Sequence, residues 1–161
     1  MDIRHATVED AEAIRQIYNE EVMSGTGVLE SKPRSVAEQR AWMSERSGVH
    51  VVLVAVDGPT VIGFGSMSPY RNKTSYRTTV EHSVYVAADR RRSGAGRLLL
   101  SELIEQARNH GFHAMIGRVT ADNGSSLVLH EQLGFERIGL EREVGRKFNA
   151  WVDVVPMQIL L

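Results

Sequence analysis

Cysteine is absent from the 161 residues. That excludes disulfides, zinc ribbons, thiolate-held iron–sulfur clusters and a cysteine nucleophile. Neither sign of charge is in surplus: 19 Lys plus Arg stand against 20 Asp plus Glu, a formal net charge of −1. A dedicated nucleic-acid binder normally carries a basic excess, so no nucleic-acid partner is expected. No apolar run approaches the roughly 18 residues of a membrane span. The start, Met1-Asp2-Ile3-Arg4-His5, lacks the basic stretch and apolar core of a signal peptide. These absences predict a cytoplasmic protein without a membrane partner. What is present is an ordinary globular balance, 42% hydrophobic and 24% charged, at a length that suits one domain over residues 1–161.

The pattern along the chain predicts alternating elements. Ile3 to Ala6 reads as an edge strand, and Thr7-Val8-Glu9-Asp10 as a helix start leading to Ala11, Ile14, Ile17 and Tyr18 at helical spacing. Ser24-Gly25-Thr26-Gly27 breaks that helix. Ser35 with Glu38 forms a capping box for a second helix carrying Trp42 and Met43. Val49 to Val56 is apolar and β-branched, as a strand covered on both faces would be. Asp57-Gly58, with Pro59, signals a hairpin turn to a return strand over Thr60 to Ser68. A polar loop over Pro69 to Tyr76 precedes a strand from Arg77 to Val86. A helix follows over Gly94 to Asn109, with Leu98, Leu99, Leu103, Ile104 and Ala107 as its buried face. His113 to Val119 reads as a strand and Asn123 to Leu133 as a short helix closed by Gly134. Phe135 to Val144 and Asn149 to Leu160 would pair as a final hairpin. Hairpins dominate this order, so the fold class is α/β (α+β), with one mostly antiparallel sheet.

The most informative stretch is Val84 to Leu98, where a strand runs into a glycine-containing turn and then a helix. Free amides at a helix N-terminus, aligned with the helix dipole, form an anion site. Gly94 and Gly96 keep side chains out of the way, and Arg90, Arg91, Arg92 and Arg97 bring positive charge. No Gly-Lys-Ser/Thr follows, so this is not a Walker loop. A third glycine is missing for a dinucleotide fingerprint.

Arg91-Arg92-Ser93-Gly94-Ala95-Gly96 resembles the Gln/Arg-x-x-Gly-x-Gly/Ala motif of the Gcn5-related N-acetyltransferases. Asn123, Ser126, Leu129-His130 and Leu133-Gly134-Phe135 resemble that family's second motif, with the expected spacing. Thr79 to Val86, Leu129 to Phe135 and Val144 to Asp153 are similar to the phosphinothricin and methionine sulfoximine acetyltransferases. The resemblance implies a mixed sheet of about seven strands flanked by about four helices. It implies acetyl-CoA as cosubstrate, no metal and a homodimer. It places the coenzyme against Val84, Tyr85, Val86, Arg91, Arg92, Ser93, Gly94, Ala95, Gly96, Arg97, Asn123 and Ser126. The oxyanion donor is expected at the backbone N–H of Val86 or a neighbour, where the family's strand bulges.

Acetyl transfer needs a deprotonated amine, a thioester held in line, donors for the oxyanion and an acid for the leaving thiolate. Glu81 is the candidate base, because a carboxylate inside a strand that otherwise reads as core is unusual; alternatively it faces solvent or pairs with an arginine. Alternation puts Thr79, Glu81 and Ser83 on one face and Val80, His82 and Val84 on the other. His130 stands where many relatives have tyrosine, and it could give or take a proton or simply pack. His82 is expected to be a core residue on the opposite face. Thr26, Glu30, Arg77, Thr78 and Lys147 are the substrate-binding candidates, with Arg77 or Lys147 gripping a carboxylate. That set suits a small amino acid offering its α-amine. A protein N-terminus, a lysine or another amine remains an alternative acceptor, and so does a non-catalytic coenzyme-binding module.

Overall fold

The computed structural model describes residues 1–161. Its strands are β1 (Asp2–His5), β2 (Val52–Asp57), β3 (Thr60–Pro69), β4 (Thr79–Val86), β5 (Ala114–Thr120), β6 (Glu136–Arg137), β7 (Glu141–Lys147) and β8 (Ala150–Leu160). The helices are α1 (Ala11–Ser24), α2 (Val36–Ser44), α3 (Ala95–Asn109) and α4 (Gly124–Gln132). The eight strands form one sheet in the order β1-β2-β3-β4-β5-β8-β6, with β7 on β8. Every pairing is antiparallel except β4 with β5, which α3 connects.

Local chemistry sets the element ends. Asp10 accepts the Thr7 amide (2.7 Å) and is held by Arg4 (2.7 Å), tying β1 to the start of α1 through one short turn. The Ser35–Glu38 capping box forms at α2 as the sequence predicts. The hairpin turn falls on Gly58-Pro59, one residue beyond the expected pair, with Gly58 at φ 58°. The final hairpin differs more. The strand over Phe135 to Val144 is split into β6 and β7, and β7 continues to Lys147. Its tight turn is Phe148-Asn149, both at positive φ (48° and 61°), the backbone that a two-residue hairpin loop requires.

The sheet is buried on both faces, as the apolar run of β2 predicts. Leu53 and Ala55 face α3, while Val52, Val54 and Phe64 face α1 and α2. On α3 the buried residues are Ala95, Leu99, Leu100, Leu103, Ile104 and Ala107. Each buried leucine contributes roughly 1.5–3 kcal/mol. Leu98, expected in that face, is 44% exposed; the helical stripe passes through Leu99 and Leu100 instead.

Candidate active site

The cleft arises where two strands part. The β4–β5 ladder joins Thr79–His82 to Ala114–Gly117 and stops there. β4 continues to Val86 beside β3, and β5 continues to Thr120 beside β8. The Ala87 amide donates to Ile62 O, and the β3–β4 register is unbroken. Antiparallel alternation therefore points the Ser83 and Tyr85 amides at β3 and those of Val84 and Val86 into the gap. The expected bulge is absent. The Val86 amide faces the opening because β5 turns away, not because β4 kinks.

The resulting cavity is about 580 Å³. One wall is Ser83 to Val86, the other Gly117 to Thr120. α3 contributes Gly94 to Arg97, α4 contributes Asn123, Ser125, Ser126, Leu129 and His130, and the end of α1 contributes Glu21 and Gly25 to Gly27. At the α3 end, Arg92 (φ 61°) and Gly94 (φ 91°) turn the loop into the helix. The Ala95 amide reaches Ser93 Oγ (3.4 Å) and the Leu98 amide reaches Gly94 O (3.1 Å). The amides of Gly96 and Arg97 donate to no protein group. Added charge is uneven: Arg90 is held by Asp57 (3.1 Å), Arg91 by Glu21 (2.8 Å) and Arg97 by Gln132 (3.2 Å), while Arg92 has no ion pair. Asn123 caps α4, its Oδ1 accepting from the Ser126 amide (3.2 Å) and Ser125 Oγ (3.1 Å). Its Nδ2 donates to nothing in the protein and remains available to a ligand.

The two candidate catalytic side chains lie on opposite faces of β4. Glu81 shares its face with Arg118, two residues beyond its β5 partner Ile116. Burial pushes its carboxyl above the ordinary carboxylate value, against the opposing pull of Arg118 and Arg71. Glu141, ion-paired with Arg118, acts in the same direction as burial. His130 is buried on the α3–α4 side. Its Nδ1 donates to Ser126 O (2.7 Å), and its Nε2 meets Nε2 of His82 at 2.9 Å. Burial lowers both imidazoles, His82 to about 3. Glu81 and His130 therefore lie on opposite faces of β4, and of the two only His130 lines the cavity.

The substrate-binding candidates scatter. Thr26 lines the cavity and donates to Asp122 Oδ2 (2.8 Å). Glu30 turns back onto its own loop and accepts from the Ser31 and Lys32 amides, outside the cavity. Lys147 is buried and donates to Val28 O (2.8 Å) and, longer, Glu21 O (3.4 Å). It anchors the loop after α1 and does not line the cavity. Arg77 and Thr78 are exposed just before β4 and do not line the cavity.

Sequence reasoning missed three participants. Glu21 joins two walls of the cleft, accepting from Gly27 N (2.8 Å) and from Arg91. His82 lines the cavity floor with His130. Gly117 makes room for both rings: a Cβ there would lie 2.5 Å from His82 Cε1 and 3.2 Å from His130 Nε2. A lone glycine inside the apolar run of β5 was the available signal, since it marks a close approach.

A strand splayed from its parallel neighbour beside a helix start with free amides makes a cleft that can take an anionic group at one end and an extended arm along the gap. The chain belongs to the acetyltransferase (GNAT) family, whose model matches residues 11–135. It is 40% identical over 161 residues to an L-methionine sulfoximine/L-methionine sulfone acetyltransferase of Pseudomonas aeruginosa, covering 99% of this chain and 94% of that one. A phosphinothricin acetyltransferase of Sinorhizobium meliloti, solved in complex with AcCoA, superposes with a TM-score of 0.96 at 38% identity, covering 99% of this chain and 88% of that one. A ribosomal-protein-alanine N-acetyltransferase of Brucella melitensis superposes with a TM-score of 0.98 at 38% identity over the full length of both.

Proposed function

We propose that residues 1–161 act as one N-acetyltransferase that moves the acetyl group of acetyl-CoA to the α-amine of a small amino-acid-like substrate. The observation that carries this reading is one continuous cleft. It has free helix amides at Gly96 and Arg97, free strand amides at Val84 and Val86, and an available Asn123 amide between them. Those groups fit a ligand with phosphates at one end and an amide-rich arm along the gap. Ser83, Tyr85, Arg92, Ala95 and Ser126 line the same path, and Ser93 supports it from behind by accepting from the Ala95 amide.

When bound, the coenzyme supplies an activated acetyl group. The Val86 amide lies where it can donate to the oxyanion that forms as the amine attacks. Glu81 removes the amine's proton through water; its raised proton affinity suits that task near neutral pH. His130 serves the sulfur side. With no cysteine in the chain, direct attack by the amine is favoured over an acetyl-cysteine intermediate. Arg118 and Arg71 bring positive charge to Glu81, which favours a carboxylate-bearing acceptor over a polycation. The names of the Pseudomonas and Sinorhizobium relatives support methionine sulfoximine, methionine sulfone and phosphinothricin as first substrates to try.

The test is release of free thiol from acetyl-CoA against a panel of amino acids and these three compounds. At least one should be acetylated. Glu81→Gln should lower kcat about 100-fold or more while acetyl-CoA binding stays near wild type. Full activity of that variant across pH would remove Glu81 as the base. A second reading, acetylation of a protein N-terminal alanine, is favoured by the Brucella neighbour, and an alanine-initiated peptide in the panel decides between them.

The reading includes a cytoplasmic homodimer. Ile138, Leu140, Val144, Phe148 and Trp151 expose apolar surface around β6 to β8, and sedimentation of the purified chain by analytical ultracentrifugation tests whether it pairs.

A further inference from the structure

The floor of the cleft is a pair of imidazoles from different elements. His82 and Gly117 are the last partners in the β4–β5 ladder, so the rings sit at the apex from which the strands diverge. His130 reaches the same point from α4, its ring centroid 5.1 Å from that of His82. Phe135 packs against both rings at 5.2 and 5.1 Å. This is a built site: a glycine gives it room, an aromatic covers it, and a backbone carbonyl orients it.

The hydrogen bonds assign the protons. A carbonyl oxygen only accepts, so the 2.7 Å contact to Ser126 O puts hydrogen on Nδ1 of His130. In the neutral ring Nε2 of His130 is then an acceptor. Its neighbour at 2.9 Å, Nε2 of His82, must be the donor. Both nitrogens of His130 are thereby engaged. Nδ1 of His82 is left as a buried lone pair without a hydrogen-bond partner. No other charged side chain enters: β5 offers Gly117, Glu81 and Arg118 lie on the far face, α4 offers Ser126, and each ring is shifted only by burial, its partner or backbone.

We propose that His82 and His130 act as one proton-holding unit beside the departing sulfur, with His82 a positioning residue that fixes the tautomer of His130. At rest the unit holds two protons. A third, taken from solvent, goes onto Nδ1 of His82, the one ring nitrogen with neither hydrogen nor partner, and its charge belongs to the pair, not to either ring. In a turnover the attacking nitrogen's proton leaves through Glu81 and water, the sulfur takes one from the charged pair by way of Ser126 Oγ, which lines the cavity 3.4 Å from Nδ1 of His130, and the pair returns to two. The proposal rests on the acetyltransferase reading for its catalytic part and on geometry alone for the tautomers.

Two measurements test it. Nitrogen-15 spectra of the imidazoles in the free wild-type protein should show His130 as the Nδ1–H tautomer and His82 as the Nε2–H tautomer. In kinetics, His82→Leu should lower kcat about tenfold or more with a smaller change in KM for acetyl-CoA. Removing the donor leaves the Nε2 lone pair of His130 free, so its proton affinity rises and the alkaline limb of the pH profile, where the proton donor is lost, moves to higher pH. His82→Gln, which can restore an N–H near the same place, should recover part of kcat. An Nε2–H tautomer at His130 overturns the proposal, as does a His82→Leu enzyme with wild-type kcat and pH profile. If His82→Leu does not fold, the wild-type spectrum still decides. If wild-type protein acetylates no amine, the functional reading fails, while the spectrum still settles the tautomers of the pair.

Discussion

At the scale of single residues, position 117 is the most constrained. Alanine there would force a methyl carbon to 2.5 Å from His82 Cε1, closer than packed atoms approach. Overpacking of this kind costs about 1–3 kcal/mol, so Gly117→Ala should lower the urea midpoint accordingly; an unchanged midpoint would mean that the rings have slack. Lys147 teaches the opposite lesson about reading a cation from sequence. Its charge is spent on the Val28 carbonyl, and burial holds its ammonium below the ordinary lysine value. Glu30 likewise serves its own loop. A charged side chain in an acceptor-facing segment does not say which way it turns, because backbone carbonyls and amides compete for it.

Elements were far more legible than side-chain partners. The caps at Ser35 and Asn123, the glycines at 94, 111 and 134, and the apolar stripes locate the helices within a residue or two. These signals are local: a cap or a left-handed glycine acts within one turn. The split of the last hairpin at Ile138 to Leu140 was not legible, nor was the irregularity within β7 between Glu141 and Gly145. There Glu143 adopts φ 54° and its amide is captured by Asp153 (2.7 Å). The His82–His130 contact was equally hidden, since it spans 48 residues and depends on where α4 lands. The loop before α3 carries its own prediction. Gly94 has φ 91° with open space around it, so the backbone, not crowding, demands glycine. A β-branched side chain there strains the turn by roughly 1–3 kcal/mol. Gly94→Val should weaken acetyl-CoA binding about tenfold or more by calorimetric titration; an unchanged affinity would detach this turn from the coenzyme.

For the whole molecule the buried imidazoles set a dependence on acid. Both have folded values below the ordinary 6.5, His82 near 3. Below pH 6.5 the unfolded chain binds protons that the folded chain refuses, so stability falls with pH towards that value. Glu81 works the other way, since its folded value is raised, and offsets part of the loss. Asp10 keeps its contribution until lower pH, because Arg4 holds its carboxyl below 3.8. The urea midpoint should therefore be lower at pH 5 than at pH 7, and a higher midpoint at pH 5 would contradict the burial of this pair as neutral rings. The ion pair between Glu21 and Arg91 reaches further still. One carboxylate holds both the loop after α1, through Gly27, and an arginine of the loop before α3. Altering that loop to accept a different amine therefore also changes the grip on Arg91. On the proposed reading, acceptor choice and coenzyme affinity are then not separable traits, and variants selected for one should carry epistatic effects on the other.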